Sequence, residues 1–257
     1  MPIGPARMPI MDHLGELRRR VTIIVVAVIA CALIVYMATP TLIELMMGQI
    51  EEAMRGQELV VISVLGGFTI RFKVALFFSV IICCPIIIWE IMAFFLPALK
   101  PKERKWFIPT FAIAVFLFIF GTLFCYFIIL DPAFQWLTDQ AYGMSAQVLP
   151  QASSYLDIII KFEIGFGFAF ELPVVVFYLV IFDIIPYKKM RGQWRTIYVV
   201  LMVLCAMITP DASPITMLLM FAALIVLYEV SLLLARIVLS KRIKKQNAEL
   251  AAEEAED

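Results

Sequence analysis

The sequence predicts an all-α polytopic membrane protein with six transmembrane helices and both termini in the cytoplasm. Three observations predict it. Apolar residues make up 63% of the 257, and charged residues only 16%, against an ordinary apolar share of about 45–50%. Apolar runs long enough to cross a bilayer recur along the whole chain. The cations cluster in alternate intervals between those runs. No room is left for a large soluble domain. Residues 1–239 read as one membrane domain and 240–257 as a charged cytoplasmic tail, basic first and then acidic. The formal net charge is zero, which implies no nucleic-acid partner.

The elements follow in order. Residues 1–20 are polar and basic, and residues 21–37 form an unbroken apolar run. That run is long for a cleaved signal sequence and no small-residue cleavage site follows it, so it reads as the first span. Residues 39–67 form the first outside loop. Within it Leu42, Ile43, Met46, Met47, Ile50 and Met54 share one helical stripe, which predicts an amphipathic helix. Residues 59–65 read as extended, with Gly66-Gly67 making the turn back. The second span runs from Phe68 to Pro97, with Arg71 and Lys73 snorkelling at its entry and Pro85 kinking its middle.

A basic turn, Lys100 to Lys105, encloses the single carboxylate Glu103. The third span, residues 106–130, carries no charge and is expected to end at Asp131-Pro132. A second outside loop, 131–155, holds the interfacial aromatics Trp136, Tyr142 and Tyr155. The fourth span, about 155–185, contains Lys161, Glu163 and Glu171, with Pro173 close behind. The fifth apolar run, 196–208, has only 13 residues, about 20 Å of helix. The segment 209–214 is a tight turn containing Pro210 and Asp211, and the sixth span covers about 215–235, with Glu229 near its end.

Of the 21 cations, residues 1–20, 99–105 and 183–195 hold four each, and residues 236–245 hold five. The three intervening loops hold Arg55 alone; Arg71, Lys73 and Lys161 lie at or inside spans. Every loop therefore agrees on termini in the cytoplasm. The two halves show no repeat, so an inverted-repeat transporter gains no support.

Chemistry-bearing residues are few. The five cysteines all lie in apolar runs without a C-x-x-C spacing and read as small packing residues. His13 is the only histidine, which argues against a histidine-ligated metal and against Ser-His or Cys-His catalysis. No H-E-x-x-H, G-x-S-x-G or P-loop motif occurs, so neither an enzyme nor a resident cofactor is expected. Glu103 is either a solvated loop carboxylate or an anionic anchor for a cationic peptide, with Phe94 supplying an apolar contact. Glu16 carries the same two readings. A carboxylate accepts a guanidinium fork, which lysine does not offer.

Glu171 lies in an otherwise apolar helix, where an ionised carboxylate costs about 2.5–3.5 kcal/mol. It serves either structure, through a neighbouring helix, or function. A proton-coupled secondary transporter using Glu171 is the alternative class. Glu90 and Glu229, near the ends of the second and sixth spans, divide equally between structure and function.

These residues resemble one family: TatC, the signal-peptide receptor subunit of the twin-arginine protein translocase. His13-Leu14-Gly15-Glu16-Leu17-Arg18-x-Arg20 resembles its amino-terminal motif. Pro85-x-x-x-Trp89-x-x-x-Ala93-Phe94-x-x-Pro97-Ala98-Leu99, followed by Glu103-Arg104, resembles its second span and loop. Gly121-x-x-Phe124-x-Tyr126-Phe127 and Phe166-Gly167-x-x-Phe170-Glu171-Leu172-Pro173 resemble the third and fourth spans. Thr209-Pro210-Asp211 and Leu227-Tyr228-Glu229 resemble the last turn and span, although Ile215 and Ala222-Ala223 depart from the usual glutamine and proline.

The resemblance implies a cupped receptor in the bacterial inner membrane for twin-arginine signal peptides of folded cargo. It implies several copies assembling with TatA- and TatB-type single-span proteins, driven by the protonmotive force. It also implies that Glu16 and Glu103 pair with the signal arginines, that Phe94 packs the signal's apolar part, and that Glu171 faces a polar group of a partner helix.

Overall fold

The computed structural model describes residues 10–48, 50, 59–96, 104–143, 150–181, 185, 187–209, 213–240 and 243. Eleven α-helices are assigned among them, and no strand beyond one isolated bridge. They are α1 (Ile10–Val35), α2 (Thr39–Gly48), α3 (Gly66–Ile82), α4 (Cys84–Phe95), α5 (Phe107–Phe124), α6 (Leu130–Gly143), α7 (Ala152–Ala169), α8 (Leu172–Ile181), α9 (Tyr187–Gly192), α10 (Trp194–Ile208) and α11 (Pro214–Val238).

Four helical stretches are long and apolar enough to cross a membrane: Leu14–Gly48, Phe107–Gln140, Ala152–Ile181 and Pro214–Val238. The bent pair α3 and α4 makes a fifth, and α10 is a shorter apolar helix. Together these accommodate six spans.

The first span does not stop where its apolar run does. A single 3₁₀ turn, Tyr36–Ala38, joins α1 to α2, so the expected amphipathic helix prolongs the span. Pro40 sits in the first turn of α2, where a missing N–H costs nothing. Of the expected stripe, Met46 and Ile50 are fully buried in the main core. Met54 lies outside the described residues.

The return to the second span differs in detail. Val60 forms an isolated bridge with Gln151, but the turn falls at Ser63–Leu65, where Gly66 N–H donates to the Ser63 carbonyl (2.9 Å). The two glycines open α3 instead. A Cβ on Gly66 would come within 2.7 Å of Val61 Cγ1, an exposed side chain that would have to turn aside. Val60 bridges to the start of α7, donating to the Pro150 carbonyl (2.8 Å) and accepting from Ala152 N–H (3.1 Å).

Pro85 breaks the second span as its position predicts. It offers no N–H to the Ile81 carbonyl, α3 ends at Ile82, and α4 leaves at 57°. Pro85 then sits in the first turn of α4, where proline is tolerated. The third span contradicts expectation: Asp131-Pro132 does not end it. A π-helical turn, Cys125–Ile129, precedes Leu130 and resets the hydrogen-bond ladder. Pro132 therefore falls in the first turn of α6, and the helix continues to Gly143.

The fourth span is interrupted at Phe170-Glu171, immediately before Pro173. α10 ends at Ile208, and Thr209 is extended (ψ 117°), the conformation favoured before a proline. The side chain of Ser213 caps α11, accepting from Thr216 N–H at 3.1 Å. α11 then runs unbroken through Glu229.

Without water to drive apolar surfaces together, helices in a bilayer associate through close packing and small residues. The crossing of α5 and α7 shows this. A Cβ on Gly121 would lie 2.8 Å from the Phe166 carbonyl oxygen, and one on Gly167 would lie 2.9 Å from the Phe118 ring. The same pair of helices interleaves Phe124 with Phe166 (6.3 Å) and Phe118 with Phe168 (5.6 Å). Elsewhere α1 packs on α3 and α4, and α8 on α11. All five cysteines are free thiols; Cys83, Cys84, Cys125 and Cys205 are buried and Cys31 is half-buried.

Candidate functional site

Two regions gather the singled-out residues. The first is the end of the bundle where α1 begins and α4 ends. Glu16 lies on α1, one turn before Arg20. The Arg20 guanidinium donates to Glu16 Oε1 through Nε (3.1 Å) and Nη2 (2.5 Å), and to Glu90 Oε2 on α4 through Nη1 (2.9 Å).

Phe94 follows Glu90 by four residues and so shares its helix face. It is half-buried and meets Phe95 edge-on at 5.4 Å. α4 stops at Phe95, and a 3₁₀ turn, Arg104–Trp106, leads into α5. Glu103 and Pro97 lie in the intervening segment, outside the described residues. Glu16 and Phe94, far apart in sequence, are thus linked by a single arginine and one helical turn.

The second region is a cavity of about 350 Å³ at the two breaks. Cys84, Ile88 and Met92 of α4 line one side, and Phe118 of α5 another. Phe168, Glu171, Val174 and Tyr178 close it where α7 passes into α8. Prolines 85 and 173 make it: each interrupts a helix at membrane depth, and irregular backbone at that depth is tolerated where it lines a cavity. Glu171 Oε1 is fully covered and accepts no hydrogen bond among the described residues. A buried polar atom in that condition costs stability unless it is paired.

Two ion pairs outside these regions carry no signal in the sequence. Lys73 donates to both oxygens of Asp157 on α7 (2.7 and 2.8 Å). Its spacing to Asp157 carries no signal, and only the α3–α7 packing brings them together. Glu229 accepts from Arg191 of α9 (2.5 Å) and from the Tyr198 hydroxyl of α10 (2.9 Å), which ties α11 to both helices. That hydrogen bond pushes the Arg191 guanidinium above its ordinary pKa. Glu163 is buried within α7, close to Cys125. Pro210 and Asp211 lie outside the described residues. Among the described residues no group of three His, Cys, Asp or Glu side chains is placed to hold a metal.

Broken spans around an apolar cavity that holds a buried carboxylate define a polytopic helical membrane protein. The family model for the Sec-independent protein translocase protein TatC matches residues 12–222, and the chain belongs to that family. It is 32% identical over 234 residues to the TatC protein of Carboxydothermus hydrogenoformans, covering 91% of this chain and 95% of that one. It is 30% identical to the TatC of Aquifex aeolicus, covering 94% and 100% of the two chains. A crystal structure of the twin arginine translocase receptor TatC matches with a TM-score of 0.74 at 30% identity, over 88% of this chain and 98% of that chain.

Proposed function

We propose that this protein is the receptor subunit of the twin-arginine translocation system in a bacterial inner membrane. It takes twin-arginine signal peptides of folded proteins at its cytoplasmic face. It nucleates assembly with TatA- and TatB-type single-span proteins, and the protonmotive force drives transport. The observation that carries this reading is the linkage of Glu16 to Phe94 through Arg20 and Glu90 at one end of the bundle. A carboxylate seat for guanidinium beside an aromatic side chain matches a peptide with basic residues followed by an apolar stretch. Glu103, between α4 and Arg104 in the sequence, is assigned with Glu16 as a second acceptor for the signal arginines. Both termini face the cytoplasm in this reading, because the cations gather on that side.

Photocrosslinkers at Phe94 and Glu103 test it. A twin-arginine peptide is expected to crosslink from both positions, and a Lys-Lys peptide only weakly, because lysine lacks the bidentate fork. Double-mutant cycles pairing Glu103 or Glu16 with each peptide arginine should show coupling. Zero coupling at both carboxylates removes the anchor role. Ion-coupled uptake of a small solute without partner subunits would replace the reading with a secondary transporter.

The Glu171 cavity is assigned to a polar side chain on a partner's membrane helix. Its unsatisfied oxygen and apolar walls support that assignment.

A further inference from the structure

We infer that Arg20 is a built-in competitor for the signal peptide's arginine, holding Glu16 closed until a guanidinium displaces it. The inference rests on the reading of Glu16 as an arginine acceptor. Arg20 presents the same chemical group as the ligand to the same carboxylate. It does so with Nε and Nη2 both donating to the single oxygen Glu16 Oε1, a paired use of the guanidinium that lysine cannot make.

A bond within one helix would be ordinary i,i+4 support, but Arg20 also reaches across to Glu90 on α4. One guanidinium between two carboxylates is held by charge-assisted hydrogen bonds from both sides. Neither carboxylate has another hydrogen-bond partner among the described residues. Glu90 is therefore the catch of the lock: it fixes Arg20 over Glu16 and ties α1 to α4 beside Phe94.

The lock is also placed to open. The Arg20 side chain is 21% exposed, and those of Glu16 and Glu90 are 24% and 14% exposed. A long arginine at such a position can swing its head to water without vacating a core site. Exchange of one guanidinium for another conserves the ion pairing at Glu16, so opening and binding nearly offset each other. The energetic consequence is simple. An intramolecular competitor raises the apparent Kd by the inverse of the open fraction. It does so equally for every ligand that needs Glu16, leaving the ratio of arginine to lysine peptides unchanged while lowering both affinities. A weakly held lysine peptide then falls below the working range, and the arginine peptide stays within it and releases readily.

The test is equilibrium and stopped-flow binding of labelled twin-arginine and Lys-Lys peptides to the full chain in nanodiscs. Arg20→Lys keeps the charge and loses the fork, and Glu90→Gln removes the catch. Both are expected to tighten both peptides by roughly three- to tenfold, with a faster apparent on-rate and an unchanged ratio. Glu90→Gln is decisive because deleting a negative charge should by itself weaken binding of a cationic peptide. Arg19→Gln, on the exposed face, controls for charge alone. Weaker binding in Glu90→Gln or Arg20→Lys assigns Arg20 to positioning Glu16 and overturns the lock. Binding unchanged in both variants overturns it too. Glu16→Ala separates the two levels. If it leaves binding intact, the acceptor reading itself fails and the lock with it. If it weakens binding while Glu90→Gln fails to tighten it, only the lock falls.

Discussion

Glu171 sets the chemical question at the scale of single residues. Its Oε1 is covered, within a spanning segment and without a hydrogen-bond partner among the described residues, and a partner's polar side chain is its proposed occupant. Glu171→Gln keeps the shape and the hydrogen-bonding capacity of the side chain. It is expected to retain most transport, measured by export of a reporter with a twin-arginine signal. Glu171→Ala is expected to bind signal peptide normally, yet lose partner crosslinking from Val174 and transport with it. Loss in both variants would assign Glu171 to charge or proton transfer instead.

The carboxylate itself was visible in the sequence, because a charge in an apolar run stands out. The lack of a partner was not, since that depends on what five separate helical segments bring to the cavity. Arg20 divides in the same way. Its i,i+4 relation to Glu16 is written in the chain, while its bond to Glu90 crosses seventy residues.

At the scale of elements, proline acts according to what precedes it. Pro85 and Pro173 each follow a break between two helices, whereas before Pro132 the π-turn carries α5 into α6 without a gap. No sequence rule used above distinguishes these cases, since a π-turn arises from packing. The α5–α7 crossing is the other element-scale device. Gly121→Ala would press a methyl against the Phe166 carbonyl and the Phe170 side chain, each 2.8 Å from its Cβ. Overpacking of this kind costs about 1–3 kcal/mol. The expected result is a lower thermal midpoint in detergent than wild type. Gly143→Ala, which meets nothing within 4 Å, should leave it unchanged.

The whole molecule is uneven in thickness. α10 has 15 residues, about 22 Å of helix, against a hydrocarbon core of about 30 Å. Its outward stripe, Val199, Val203 and Met207, is 63%, 54% and 77% exposed. At one end the Arg195 guanidinium lies 5.3 Å from the Trp194 ring, an arrangement suited to the headgroup level. The bilayer should thin beside α10. Spin labels at Val199 and Met207, compared with labels at the exposed Ile113 and Phe127 of the third span, should report a shallower apolar layer there. Equal depth profiles would dismiss the mismatch.

Composition and cation placement sufficed, from sequence alone, for an all-helical polytopic protein. Both are one-dimensional quantities, set by bilayer thickness and by the cost of moving charge. Motif residues at Glu16, Phe94, Pro85, Glu171 and Pro173 were legible for a related reason: each is a local exception within a run. Tertiary structure decided which exceptions meet. The 57° bend at Cys83 and the break at Phe170-Glu171 turn two local defects into one cavity. α1–α4 packing turns two carboxylates and an arginine into one lock. Lys73 and Asp157 pair across eighty-four residues for the same reason. Contacts of that range depend on how whole helices cross, a property of close packing between their small residues that hydropathy does not encode.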